Sequence, residues 1–220
     1  QLFDELYSLH GLGTKSVMDL VSLAQRTQTE VSDGISNDLH YINGSTTNEN
    51  LETMMQAINL CFTGSKRDES FEQQIMQMLK SQISAKYDNP DAVISDSADY
   101  YEHSQHADNL TPDADQLDNV NFANVFSIRN KMFCNAADFT FIFVGSFDEQ
   151  KIRPLIAQYI ASLPGKKEKA NVEDNRFYTE GKVKREFTKA MATPQSVTMD
   201  LYRSAKVPFI GMIAGALFGG

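Results

Sequence analysis

A chain of 220 residues with 29 Asp and Glu against 20 Lys and Arg carries a formal net charge of −9. That balance argues against nucleic-acid binding, which gathers Lys and Arg on one face; here they cluster only at 166–169 and 182–185. A hydrophobic fraction of 41% is enough for the core of one or two domains.

Residues 1–9 read as the end of an amphipathic helix already under way, with no charged-then-apolar secretory signal. The chain is therefore expected to be a fragment of a longer protein, so the missing signal says little about compartment. Ser16 is a candidate N-cap for a helix with Val17, Leu20, Val21 and Ala24 on one face. Residues 29–45 hold β-formers and two glycines, which suits a short hairpin. Thr46 and Glu49 have capping-box spacing ahead of a stripe of Leu51, Met54, Met55, Ile58 and Phe62. The methionines read as gap-filling core. Phe71, Ile75, Met78, Leu79 and Ile83 form the next stripe, ended at Asn89-Pro90, and Pro90 suits the first turn of another helix with Val93, Ile94 and Ala98 inward. Residues 107–118 read as a solvated acidic loop, because Asp108, Asp113, Asp115 and Asp118 lack the EF-hand spacing and its closing Glu. Phe122, Val125, Phe126 and Arg129 begin one more helix.

Residues 139–144 are apolar except Thr140, the pattern of a strand covered on both faces. Gly145 and Ser146 break it, and Asp148 and Glu149 place negative charge at a helix start. Ile152, Leu155, Ile156, Tyr159, Ile160 and Leu163 then recur at helical spacing until Pro164-Gly165. Residues 166–180 read as a linker. Residues 182–192 and 195–202 read as two strands joined at Thr193-Pro194, and the apolar, Gly-rich stretch 207–220, too short to span a bilayer, as a truncated strand or helix, with a membrane-touching tail as the alternative. Two cysteines do not make a disulfide scaffold. Cys61 and Cys134 both read as small core residues, with a bond between them left open.

The run from Phe139 through Gly145-Ser146-Phe147-Asp148 to Ser162-Leu163-Pro164 resembles a signature of the pitrilysin/insulinase-type zinc peptidases (inverzincins), where a strand like "FVGxFD" leads into a helix ending "SLP". The hairpin and helix at 31–55, the helix at 71–80, Asn89-Pro90 and the strand like "SVTMDLY" at 196–202 follow in the family's order, so the resemblance covers roughly 15–204. It implies an α+β fold, an antiparallel-type sheet covered on one face by helices. It also implies a domain at 1–165, a linker at 166–180 and the start of a further domain at 181–220.

Active members of that family carry His-x-x-Glu-His, two zinc ligands and a general base. None of His10, His40, His103 and His106 sits in that arrangement. His103 and His106 are a close pair, read as a solvated helix end. Glu69 and Glu72, near the start of the helix that carries the family's third ligand, read as ordinary helix-start acids. The resemblance is to the family's catalytically silent half. It therefore implies no catalytic, cofactor or metal residue in this chain, with zinc in the catalytic half of the parent polypeptide. Expected partners are that catalytic half and a peptide substrate, together with self-association through exposed sheet edges and no nucleic acid. Export to a bacterial periplasm is the expected localisation. The alternative is a structural or peptide-binding member with no zinc site anywhere, and the family resemblance leaves both open.

Overall fold

The computed structural model describes residues 6, 10–35, 39–86, 88–105, 111–166, 178–186, 198–202 and 211–215, with backbone alone for 202 and 211–215. The described elements are helices with small antiparallel ladders, an α+β fold. They fall into two compact units. Residues 2–77 with 119–172 form one, and residues 78–118 with 173–220, joined by Gln1, form the other.

In the first unit β1 (His10–Leu12) pairs antiparallel with β4 (Ser65–Arg67), and β2 (Glu30–Ile35) with β3 (His40–Ser45). The hairpin expected at 29–45 is β2–β3. Its glycine Gly34 lies opposite Tyr41, whose side chain fills the space a Cβ would need, with two ring carbons and the hydroxyl oxygen 2.0–2.3 Å from that position. Helix α1 (Val17–Thr27) starts at Ser16 as expected. Ser16 accepts from the Asp19 amide while Asp19 accepts from the Ser16 amide, a reciprocal cap. Val21, expected on the inward face, is exposed.

The Thr46–Glu49 box does not form. The Thr46 hydroxyl is taken by Thr29 at 2.7 Å, and a short 3₁₀ turn (Asn48–Asn50) leads into α2 (Leu51–Thr63) without a side-chain cap. Met54, Met55 and Ile58 of α2 are buried with Ile152, Ile160 and Leu163, so α2 meets the last helix of the unit across the core. That helix, α6 (Glu149–Leu155), is capped by Asp148 and continues as one π turn (Ile156–Ile160). Pro154 sits inside it and has no amide to donate. The Tyr159 carbonyl lies in the last turn, beyond which the helix supplies no amide, and Asn59 of α2 donates to it at 2.7 Å. Helix α5 (Phe122–Met132) completes the unit.

Residues 139–144 are not a central strand. They are extended, with burial that alternates. Phe139, Phe141 and Phe143 are half-buried, Phe141 and Phe143 against the α2–α6 core, whereas Ile142 is 78% and Val144 92% exposed. Phe62 of α2 packs edge-on against Phe139, ring centroids 4.9 Å apart. The apolar outer face simulated a doubly buried strand in the sequence, but among the described residues no strand pairs with this segment.

In the second unit α3 (Glu69–Lys86) contributes its C-terminal half. Leu79 and Ile83 are buried there, and Met78 is 47% exposed. Helix α4 (Pro90–Glu102) has Pro90 in its first turn, as the sequence predicts, and is capped by Asn89. Of the acidic loop, residues 111–118 are described. A 3₁₀ segment (Ala114–Asn119) buries Leu117, and Asp118 pairs with Lys80 rather than facing solvent alone. Residues 182–186, expected to open a strand, form no strand pairing among the described residues, and 187–192 lie outside them. β5 (Thr198–Tyr202) is the expected second strand. Its partner is β6 (Gly211–Gly215), so part of the apolar tail is the other half of a hairpin.

Candidate functional site

Two features of the first unit stand out: a buried ionic cluster and an open groove. In the cluster His10, Asp33 and Arg129 are each under 9% exposed. β1 places His10 so that Nε2 lies 3.1–3.2 Å from both Asp33 oxygens. Asp33 is held by pairing of β2 with β3. Arg129 reaches it from α5, with Nε at 2.9 Å and a terminal nitrogen closer still. The other terminal nitrogen of Arg129 donates to the Cys61 carbonyl at 2.7 Å and to the Ser65 hydroxyl at 2.9 Å, and the guanidinium lies 4.5 Å from the Phe133 ring centre.

Burial pushes the Asp33 carboxyl up, but the His10 hydrogen bond and charge and the Arg129 guanidinium outweigh it. The carboxyl is held below its usual range. Burial pushes the neighbouring Cys61 thiol up to about 12, with the Asp33 charge adding to it. A thiol so disfavoured as thiolate is no nucleophile at neutral pH. The cluster thus joins five elements, β1, β2, α2, β4 and α5, and presents no activated thiol.

The groove, about 450 Å³, runs between the end of β3 with residues 46–48 and residues 142–147. Leu51, Met54 and Ile152 form its apolar floor. Asn48 closes it by donating to the Ser146 carbonyl at 2.8 Å. Gly44 faces Met54 so closely that a Cβ would stand 3.0 Å from its sulfur, which keeps the floor low. The walls are extended backbone, and the free edge of β3 and residues 140–145 offer amides and carbonyls that no described backbone group takes.

The residues weighed as ligands in the sequence are scattered. His103 caps the C-terminus of α4, its Nδ1 2.8 Å from the Asp99 carbonyl and its ring 5.1 Å from that of Tyr178. It is half-buried rather than a fully solvated end. His106 and Asp108 lie outside the described residues. His40 stacks on Phe133. Glu72 is buried and paired with Arg67 at 2.7 Å, more than the helix-start acid the sequence suggested. Cys134, expected in the core, is exposed, because the chain turns out of α5 at that point; Cys61 is buried, and both are free. Among the described residues no group of three His, Cys, Asp or Glu could hold a metal ion. No described helix is long and apolar enough to cross a membrane.

The buried Asp33–Arg129 pair escaped the sequence reading. The available signal was Arg129 itself, a cation on the apolar stripe of α5.

No protein-family model matches the chain, and no curated protein does. Solved structures do. The chain superposes on the ferredoxin protease FusC, solved in complex with Arabidopsis ferredoxin, with a TM-score of 0.64 and 15% identity over 81% of this chain and 19% of that one. It superposes on the periplasmic protease PqqL from Escherichia coli with a TM-score of 0.65 and 18% identity over 81% of this chain and 20% of that one. At such identities the likeness shows the fold, which is that of pitrilysin-like proteases. The chain spans about a fifth of the length of the structures it matches.

Proposed function

We propose that this chain is a non-catalytic domain of a pitrilysin/insulinase-type zinc metallopeptidase. It packs on the active half of the same polypeptide and forms one wall of the chamber that encloses the substrate. The zinc-binding His-x-x-Glu-His lies elsewhere in that polypeptide. The observation that carries this reading is the fold likeness, which takes in 81% of this chain and only a fifth of each protease, joined to a sequence that holds no such motif. The function then follows from position rather than from a reactive group, in keeping with a buried ionic cluster that offers no nucleophile.

The substrate in this reading is a peptide or protein, supported by the ferredoxin bound to FusC. Export to the periplasm is supported by the location of PqqL. The experiment is on the protein as its source makes it: zinc content and peptide hydrolysis. Stoichiometric zinc and hydrolysis, with hydrolysis lost when the Glu of His-x-x-Glu-His becomes Gln, are expected. A protein with neither the motif nor zinc replaces the peptidase by a structural or peptide-binding member of the same fold.

A further inference from the structure

We propose that Thr179 is a latch: it clamps the segment 178–186 to the C-terminus of α4 and holds a strained turn at Ser104–Gln105, so that this end of the second unit has a latched and a released state. The inference goes beyond the peptidase reading and does not depend on it.

The last carbonyls of a helix find no partner within it and must be satisfied from elsewhere. In α4 these are the carbonyls of residues 99–102, and all four are taken. The Asp99 carbonyl accepts from the His103 amide, and the Tyr100 carbonyl from the Gln105 amide at 2.8 Å. The other two are met by a single residue 78 positions beyond Tyr101. The Thr179 hydroxyl donates to the Tyr101 carbonyl, and the Thr179 amide donates to the Glu102 carbonyl at 2.7 Å. The same hydroxyl accepts from the Ser104 amide at 3.0 Å, which uses both its donor and its acceptor capacity. Two ring contacts flank the clamp. The Tyr178 ring lies 5.1 Å from that of His103, and the Arg185 guanidinium lies 5.0 Å from the centre of the Tyr101 ring.

The turn supplies the second state. Ser104 and Gln105 have φ of 54° and 60°, two successive residues with side chains in the left-handed region. Residues other than glycine visit that region singly and at a cost, and such a conformation persists only where its surroundings over-determine it. Among the described residues the hydrogen bond that holds this turn from outside is the one to the Thr179 hydroxyl. Withdrawing Thr179 frees the Ser104 amide and the Tyr101 carbonyl together, so the turn, the helix end and the segment 178–186 are released as one. The sequence reads 166–180 as a linker, yet its end at 178–180 is part of the cap of α4.

The test is amide hydrogen exchange on the protein as its source makes it, comparing the parent with Thr179→Val and Thr179→Ser. Valine matches threonine in shape and keeps the backbone amide but has no hydroxyl, whereas serine keeps the hydroxyl. Thr179→Val is expected to speed exchange at residues 104, 105 and 179 together by roughly tenfold, the worth of one or two hydrogen bonds, with the interior of α4 unchanged. Thr179→Ser is expected to keep the parent's rates. Loop-like exchange at Thr179 in the parent, or a Ser104 amide that the valine leaves unchanged, overturns the latch. Acceleration spread evenly over α4 overturns it too, since Thr179 would then add only to the general stability of the second unit. Zinc and hydrolysis play no part in this readout, so the peptidase reading stands or falls separately.

Discussion

Arg129 and Asp33, 96 positions apart, form a buried ion pair in which both side chains are 4% exposed or less, and His10 shares the same carboxylate. The pair ties α5 to the β2–β3 hairpin. Removing one member strands the other charge in the interior, which typically costs about 3–5 kcal/mol, whereas replacing a whole buried pair with apolar groups is often neutral. Arg129→Met is therefore expected to lose that much in urea unfolding, and Arg129→Met with Asp33→Leu and His10→Leu to regain most of it. A single variant within about 1 kcal/mol of the parent would show that water reaches the site and screens the pair.

The same carboxylate sets an acid limit. Its folded pKa lies below the ordinary 3.8, so the stability it contributes is fully present above about pH 4. It is lost as pH falls from there through the depressed folded value, because the unfolded state takes up the proton first. Unfolding free energy measured from pH 5 down to pH 2 is expected to fall more steeply for the parent than for Asp33→Asn. Parallel curves would mean the pair contributes no pH dependence.

The thiols divide sharply. Cys61 is buried with its pKa pushed up to about 12, and Cys134 is exposed. A disulfide reagent at neutral pH is expected to modify one of the two cysteines in the native protein, at Cys134, and both after unfolding. Rapid labelling of Cys61 in native protein would mean that the α2 core opens easily.

The core face of α6 gives a stability test. Ile152 is 3% exposed and Ile160 9%, while Ile156 is only half-buried in the π turn. Ile152→Asp is expected to unfold the first unit, since an unpaired buried charge costs several kcal/mol against a total of about 5–15. Ile156→Asp is expected to cost less. Equal melting losses would place both residues equally deep and contradict the observed turn.

Elements whose evidence is local were legible in the sequence. Ser16, Asn89 and Asp148 cap the helices predicted for them, because a cap is a contact within three residues. The hairpin at 30–45 was legible through its β-formers and two glycines, and the α2 stripe through its period. Thr46 failed as a cap because Thr29, distant in sequence, claimed its hydroxyl. The Asp33–Arg129 pair joins residues that no local pattern links. Residues 139–144 misled because composition reports that a face is apolar, not whether anything covers it.

That uncovered face yields the last prediction. In the apolar tail the backbone of 211–215 is paired with β5, whereas Ile142 and Val144 stand exposed on a segment that pairs with no strand among the described residues. The 220-residue chain by itself is therefore expected to self-associate through residues 139–144, in light scattering at rising concentration. Ile142→Asp with Val144→Asp places two charges on that segment, a device by which natural edge strands resist pairing, at little cost where both side chains face solvent. The double variant is expected to remain monomeric, and deletion of 205–220 to leave association in place. Association abolished by the deletion and untouched by the two aspartates would place the sticky surface in the tail.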